Sequence, residues 1–246
     1  MIRATLRTIV GRRGSFIGGA GTVLLGVTVT IAVFWAVHLH NGVRNPSIGG
    51  QGMLDGTGAV LAILGVVVAI LIGALAGSYD VAQGTMRYLL MTGARRSQIY
   101  GARIVAVVLG VWLTLLPAAT LAVVAAVVLP HAADDGVDGS AAASLLWAVA
   151  LGSAVFALIS MAIGSLLRSN GAAIAIALIV NLALTPLLAL IGAWNETVAD
   201  LTLPLTVVRL TGGETSLSIP AAAVALLAWV GAILALGFVR IHRDEY

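Results

Sequence analysis

The apolar positions of this chain form long runs, and the polar positions bunch between them. Six runs are nearly free of charge: approximately Phe16–Leu39, Thr57–Gly77, Ile104–Leu129, Leu145–Leu167, Ala172–Ala193 and Ile219–Val239. Each approaches or exceeds the roughly 20 apolar residues that a helix needs to cross about 30 Å of hydrocarbon. The runs are continuous rather than alternating, which excludes a β-barrel. The pattern predicts an all-α integral membrane protein with six transmembrane helices, residues 1–246 forming a single transmembrane domain. The first run is too long for a signal-peptide core and lacks an Ala-x-Ala site, so it reads as a retained span.

Three shorter segments break the pattern. In residues 1–14, Ile2, Leu6, Ile9 and Val10 fall on one helical face flanked by Arg3 and Arg7, which predicts a short interfacial helix in the headgroup layer. Residues 78–103 form the one long polar stretch, with Arg87, Arg95, Arg96 and Arg103 against Asp80. Within it Met86, Leu89 and Leu90 sit at i, i+3, i+4 and give a short helix one apolar face. Gly93 is placed to end that helix and Ser97 to cap the next. An apolar face on such a loop calls for a cover, either a partner or the membrane surface. In residues 194–218, Leu201–Leu210 is apolar around Pro204, more so than a surface loop needs, and a hairpin returning into the membrane is expected.

Composition agrees with the pattern: 60% of residues are hydrophobic, 9% are charged, and the mean hydropathy is +1.09. A soluble domain carries about 25% charged residues. All 13 basic residues are arginine and cysteine is absent, so no disulfide or thiol chemistry is available. The Ala-, Gly- and Arg-rich, lysine-free usage fits a GC-rich bacterial genome and a multi-pass protein of the bacterial cytoplasmic membrane. Arginine placement sets the orientation. The tail, second loop, fourth loop and C-terminus hold eleven arginines, whereas the other loops hold Arg44 and Arg209 plus the acidic Asp134, Asp135 and Asp138. The positive-inside rule puts both termini in the cytosol and makes 78–103 a cytosolic loop. Arginines at membrane edges also explain a pI near 10, so no nucleic-acid partner is expected.

The segment Asp80-x-x-x-Gly84-Thr85-x-Arg87-x-Leu89-Leu90, then Gly93-x-x-Arg96, then Arg103 before an apolar run, resembles the cytosolic loop of ABC-2-type transporter permeases. Asp80 stands where that family commonly has glutamate, and Ala102-Arg103 where it has a lysine-ended pair. The motif covers about 25 residues, and the topology covers the chain. The resemblance implies a loop that forms a coupling helix docking on a separate ABC ATPase. Asp80, Gly84, Thr85, Met86, Arg87, Leu89, Leu90 and Arg96 would be the coupling residues. It implies two permease chains, homodimeric or a related heterodimer, above two ATPase copies. It also implies an outer re-entrant hairpin, an interfacial helix before the first span, and export.

The remaining chemistry is sparse. Without lysine there is no Walker A motif, so no cofactor is expected in this chain; ATP and Mg would be bound by the partner ATPase. No metal-ligand spacing occurs, and His38, His40, His131 and His242 are scattered. The chain is not expected to be an enzyme. No span carries an ionisable residue at its middle, which weighs against a proton- or sodium-coupled pump. Asn181 and Thr185, beside Pro186 in the fifth run, are candidates for a substrate path or a dimer interface. Pro117 predicts a kink in the third. An apolar lining with sparse polar groups suits lipids, hydrophobic peptides or amphipathic drugs, and hence multidrug or antibiotic efflux, with membrane lipids as the remaining contacts. The alternatives are a stand-alone secondary transporter or channel, which would show buried charges or inverted repeats, and a membrane enzyme or scaffold, which would show clustered acids or histidines.

Overall fold

The computed structural model describes residues 13–41, 47–82, 95–131, 135–167, 169–180, 200–213 and 216–243. Among these, all regular structure is helical: α1 (Arg13–Asn41), α2 (Gln51–Ala82), α3 (Arg96–Val128), α4 (Gly139–Leu166), α5 (Asn170–Val180), α6 (Leu203–Leu210) and α7 (Ile219–Arg243). Five of them, α1, α2, α3, α4 and α7, are long and apolar enough to cross a membrane. The chain is a multi-pass membrane protein. The fifth apolar run begins as α5 and continues outside the described residues; of the interfacial helix expected over residues 1–14, residues 1–12 lie outside them and Arg13 and Gly14 begin α1, and the short helix expected around Met86, Leu89 and Leu90 lies outside them.

Helices extend past the apolar runs wherever an amphipathic turn can shelter polar groups. The third run, expected to start at Ile104, belongs to a helix that starts at Arg96 and continues unbroken through Pro117. Ser97 is therefore inside the helix, not its cap. Arg95 occupies the cap position, and its N–H donates to Gln98 Oε1 at 3.2 Å. Hydroxyls within the spans are satisfied by their own helix: Thr57 Oγ1 donates to Met53 O, Thr114 to Gly110 O and Ser165 Oγ to Met161 O.

The helix α4 is the hub, packing on α2, α3, α6 and α7. Its most extensive seam is with α2, and the two run parallel. A Cβ on Gly73 would lie 2.1 Å from Ala157 O, one on Gly77 2.0 Å from Met161 O, and one on Gly164 2.4 Å from Ala74 O. Backbone lies against backbone here, as small residues four apart permit in membranes, where no water drives apolar faces together. Around the seam, Val23 and Val27 of α1, Leu61 and Val68 of α2, Val107 and Leu115 of α3, and Met161 of α4 form the largest core cluster. The outward residues are apolar too. Leu25, Ile63, Leu113, Val224 and Leu227 are exposed, as befits faces turned to lipid.

The helix ends alternate. One end of the bundle holds Arg95, Arg96, Arg103 and Arg240; the other holds Asp135, Asp138, Asp200 and Arg209. At the second end, segment 47–50 closes the terminus of α3: Gly49 N donates to Pro130 O at 3.0 Å and Gly50 N to Ala126 O at 2.8 Å. Gly50 has φ +84°, and a Cβ there would strike Asp135 O, so only glycine suits this turn. The eight-residue α6 packs between α4 and α7, burying Leu203 and Val207 with Val155, Ile159 and Leu226. Trp147 Nε1 donates to Leu210 O at 2.9 Å and Trp229 Nε1 to Leu201 O at 3.0 Å, pinning both ends of α6.

Candidate functional site: the arginine-rich foot of α3

The sequence singled out the polar insert, and the structure describes its two flanks. On one side α2 runs to Ala82, so Asp80 is helical. On the other, α3 starts at Arg96. Gly84, Thr85, Met86, Arg87, Leu89 and Leu90, with Gly93, lie outside the described residues, and so do Asn181 and Thr185.

The first turns of α3 carry Arg96, Tyr100, Arg103 and Val107 at i, i+4, i+7 and i+11, one face of a helix. That face is turned into the bundle. Arg96 is partly buried, and its Nη1 donates to His242 O of α7 at 2.8 Å. Tyr100 Oη donates to Leu234 O at 3.0 Å, one helical turn before Phe238. The rings of Tyr100 and Phe238 are tilted at 5.7 Å between centroids, and Phe238 stacks in turn on His242 at 4.6 Å. The antiparallel end of α7 is thus fastened to the foot of α3 by two hydrogen bonds to its carbonyls and a run of three rings.

Gly237 makes the contact possible. A Cβ at that position would lie 2.8 Å from Tyr100 Oη and 3.3 Å from Ala162 Cα, so α3, α4 and α7 meet at one glycine.

Arg103 departs most from expectation. Read as a charge at the membrane edge, it is 1% exposed and the bulkiest of the fully buried side chains. Its Nη1 points to Gly77 O of α2 at 3.4 Å. Gly77 itself lies against Met161 O and Ser165 N of α4, so Arg103 reaches the end of the α2–α4 seam. A guanidinium fits this position because it has five donors and stays charged. Beside it, Ser78 Oγ is hydrogen-bonded to Asn170 Oδ1 at 2.8 Å and to Ala74 O at 2.9 Å, so α5 is tied to the same corner.

Of the coupling residues named from sequence, Arg96 is the one whose surroundings are described, and it lies in this cluster. Arg103 was read as the end of the insert at the membrane edge, and Tyr100, Gly77, Gly237 and Phe238 were not anticipated there. The signal was present in the i, i+4, i+7 spacing, which carries the buried face of α3 back through Arg103 instead of ending it there. Chemically the cluster has no nucleophile paired with a base, and among the described residues no group of three His, Cys, Asp or Glu side chains is arranged to hold a metal ion. It ties helices to one another through side chains. No family model matches the chain, and no curated protein matches it.

Proposed function

We propose that this chain is the membrane-spanning permease subunit of an ATP-driven ABC exporter of the ABC-2 type. In this reading six spans cross a bacterial cytoplasmic membrane with both termini in the cytosol. The loop 78–103 carries the coupling helix, and ATP and Mg are handled by separate ATPase chains, two per assembly. Two permease chains, identical or related, enclose the path of a hydrophobic or amphipathic substrate, with Asn181 and Thr185 on that path or at the pairing face.

The observation that carries the reading is the foot of α3. The proposed coupling loop enters a helix whose first turns are bonded to α7 through Arg96 and Tyr100 and to α2 through Arg103. A push on that loop is therefore delivered to three spans at once.

A stand-alone transporter is the second reading, because Arg103 is a buried charge within a membrane-crossing helix. Arginine stays protonated and cannot relay a proton, so this reading reduces to Arg103 attracting an anionic solute. Uptake of anions by liposomes holding the purified chain alone would favour it.

The deciding experiment for the first reading is Leu89→Glu in the chain co-expressed with its ATPase. A carboxylate forced into an apolar docking cleft costs several kcal/mol, and 2.8 kcal/mol corresponds to about a hundredfold in affinity. The permease should reach normal levels in the membrane yet lose ATPase retention by about a hundredfold. Normal retention with normal transport would remove the coupling role.

A further inference from the structure

We propose that the rim formed by the start of α3 and the last turn of α7 binds the phosphate of an anionic membrane phospholipid through Arg95 and Arg240. The two side chains share one rim because Arg96 Nη1, next to Arg95, donates at 2.8 Å to the carbonyl of His242, two residues beyond Arg240. Both arginines are exposed, and neither is among the residues named for coupling.

Depth and direction point to lipid. The stretch of α7 long and apolar enough to cross a membrane runs Ile219–Arg240, and that of α3 runs Arg96–Val128. Arg240 therefore ends one span and Arg95 directly precedes another, so both stand where hydrocarbon gives way to headgroups. On α7, Leu236 is 61% exposed and Val239 42%, so this face is turned outward to lipid. Arg240 lies one turn beyond Leu236 on the same face. An arginine so placed lays its stem along the apolar surface and lifts its guanidinium into the headgroup layer. There its planar fork of donors matches the oxygens of a phosphate.

Charge selects an anionic headgroup. Among the residues whose side chains are described, this end holds Arg95, Arg96, Arg103 and Arg240 and no carboxylate, whereas the opposite end holds Asp55, Asp135, Asp138 and Asp200 against Arg209. The adjoining sequence does not reverse the balance: the segments expected on this side carry eleven arginines against Asp80, Asp244 and Glu245. A zwitterionic lipid brings a cation with its phosphate, which this surplus repels; an anionic lipid brings none. An acidic protein surface would approach from water, but Arg240 is presented sideways, to the bilayer. Binding of this kind depends on the rim alone and not on a transport role.

The full-length chain, purified in detergent and stripped of lipid, would be titrated in native mass spectrometry with dioleoyl phosphatidylglycerol and dioleoyl phosphatidylcholine, which share acyl chains and differ in headgroup charge. Each arginine near anionic lipid contributes about fivefold, so wild type should prefer phosphatidylglycerol by about 25-fold. Arg95→Gln and Arg240→Gln should each reduce that to about fivefold, and the double variant should show little preference. If the double variant does not fold, wild type alone decides. Its gain in unfolding temperature in phosphatidylglycerol nanodiscs over phosphatidylcholine nanodiscs should largely vanish between about 0.05 M and about 0.5 M salt. Equal binding of the two lipids by wild type, full preference in the double variant, or a gain that ignores salt would each overturn the assignment. So would a double variant that keeps its lipid preference but no longer retains its ATPase, which would give the rim to an acidic protein face.

Discussion

Two places hold this bundle together, by opposite means. Along the α2–α4 seam the helices touch backbone to backbone at Gly73, Gly77 and Gly164, and the fit is one of shape. At the foot of α3, long side chains reach across gaps: Arg96 to His242 O, Tyr100 to Leu234 O, and Arg103 to Gly77 O. Backbone contact offers no adjustable part, so such a seam moves as one body. Side chains of several rotatable bonds can keep a bond while the helices shift. The difference separates a rigid unit, α2 with α4, from an adjustable joint, α3 with α7. On the proposed function, the loop that receives the push lies between the two.

The largest expected effect breaks the seam. Gly77→Leu brings a Cβ to 2.0 Å from Met161 O, and neither partner can yield without parting the helices. Overpacking costs typically 1–3 kcal/mol where side chains can move; here the obstacle is backbone, and a loss above about 3 kcal/mol is expected. The folded fraction recovered from membranes should fall severely. Gly18→Ala is the matched control. Nothing lies within 4 Å of that added Cβ, and alanine is the better helix former by up to about 1 kcal/mol, so a neutral or slightly stabilised protein is expected. If both variants behave alike in thermal unfolding, the seam is not a shape constraint.

The seam was half legible in advance. Gly73-x-x-x-Gly77 is a close-packing signature inside an apolar run, but the sequence does not say which helix it meets, because small residues occur on every span. Five of the six expected spans were legible, because an apolar run of sufficient length has one physical solution in a membrane. The start of α3 was not. A positive charge is normally taken as the membrane edge, and Arg103 is a charge that enters the bundle because Gly77 O waits inside it. The polar pattern led to the insert, and the resemblance to Arg96. The geometry adds that Arg96 grips α7, a long-range pairing between residues 96 and 242 that periodicity along one helix could not reveal.

The next effect in size tests the joint at its buried member. Arg103→Ala removes the bulkiest fully buried side chain and should cost about 2–5 kcal/mol, the range for large-to-small changes in a core. Arg103→Met keeps most of the stem volume and should recover much of that loss. Thermal unfolding in a fixed detergent would compare the two. If Met is no better than Ala, the guanidinium bonds outweigh the packing.

A smaller effect separates hydrogen bond from fit within the joint. Tyr100→Phe keeps the ring on Phe238 and removes the bond to Leu234 O, for about 0.5–1.5 kcal/mol. Gly237→Ala should be worse, since its Cβ would stand 2.8 Å from Tyr100 Oη and 3.3 Å from Ala162 Cα. In the double variant the first clash is gone and the second remains. The two losses should therefore add to more than the double variant shows. Strict additivity would mean that Gly237 answers to Ala162 alone, and that α3 and α7 are joined by bonds and not by fit.

The smallest effect sits at the far end of the rigid unit, where α4 begins. Asp138 caps that helix, accepting from Ser140 N at 3.2 Å and from the Ser140 hydroxyl. The hydroxyl first, and then the amide, hold its carboxyl below the usual value of 3.8. A carboxylate lowered in the folded state contributes stability that is fully present above the unfolded value and is lost as pH falls through the folded one. The cap should therefore be intact at neutral pH and weaken only below about pH 4. Asp138→Asn keeps an oxygen at the cap but does not titrate, so it supplies the reference. The difference in unfolding temperature between wild type and Asp138→Asn should be constant from pH 7 to 5 and shift against wild type below 4. The group is fully solvent-exposed, so the shift should be slight. A change as large as that of Gly77→Leu would mean that the α2–α4 unit is held by its cap more than by its glycines, and the contrast between seam and joint would fail.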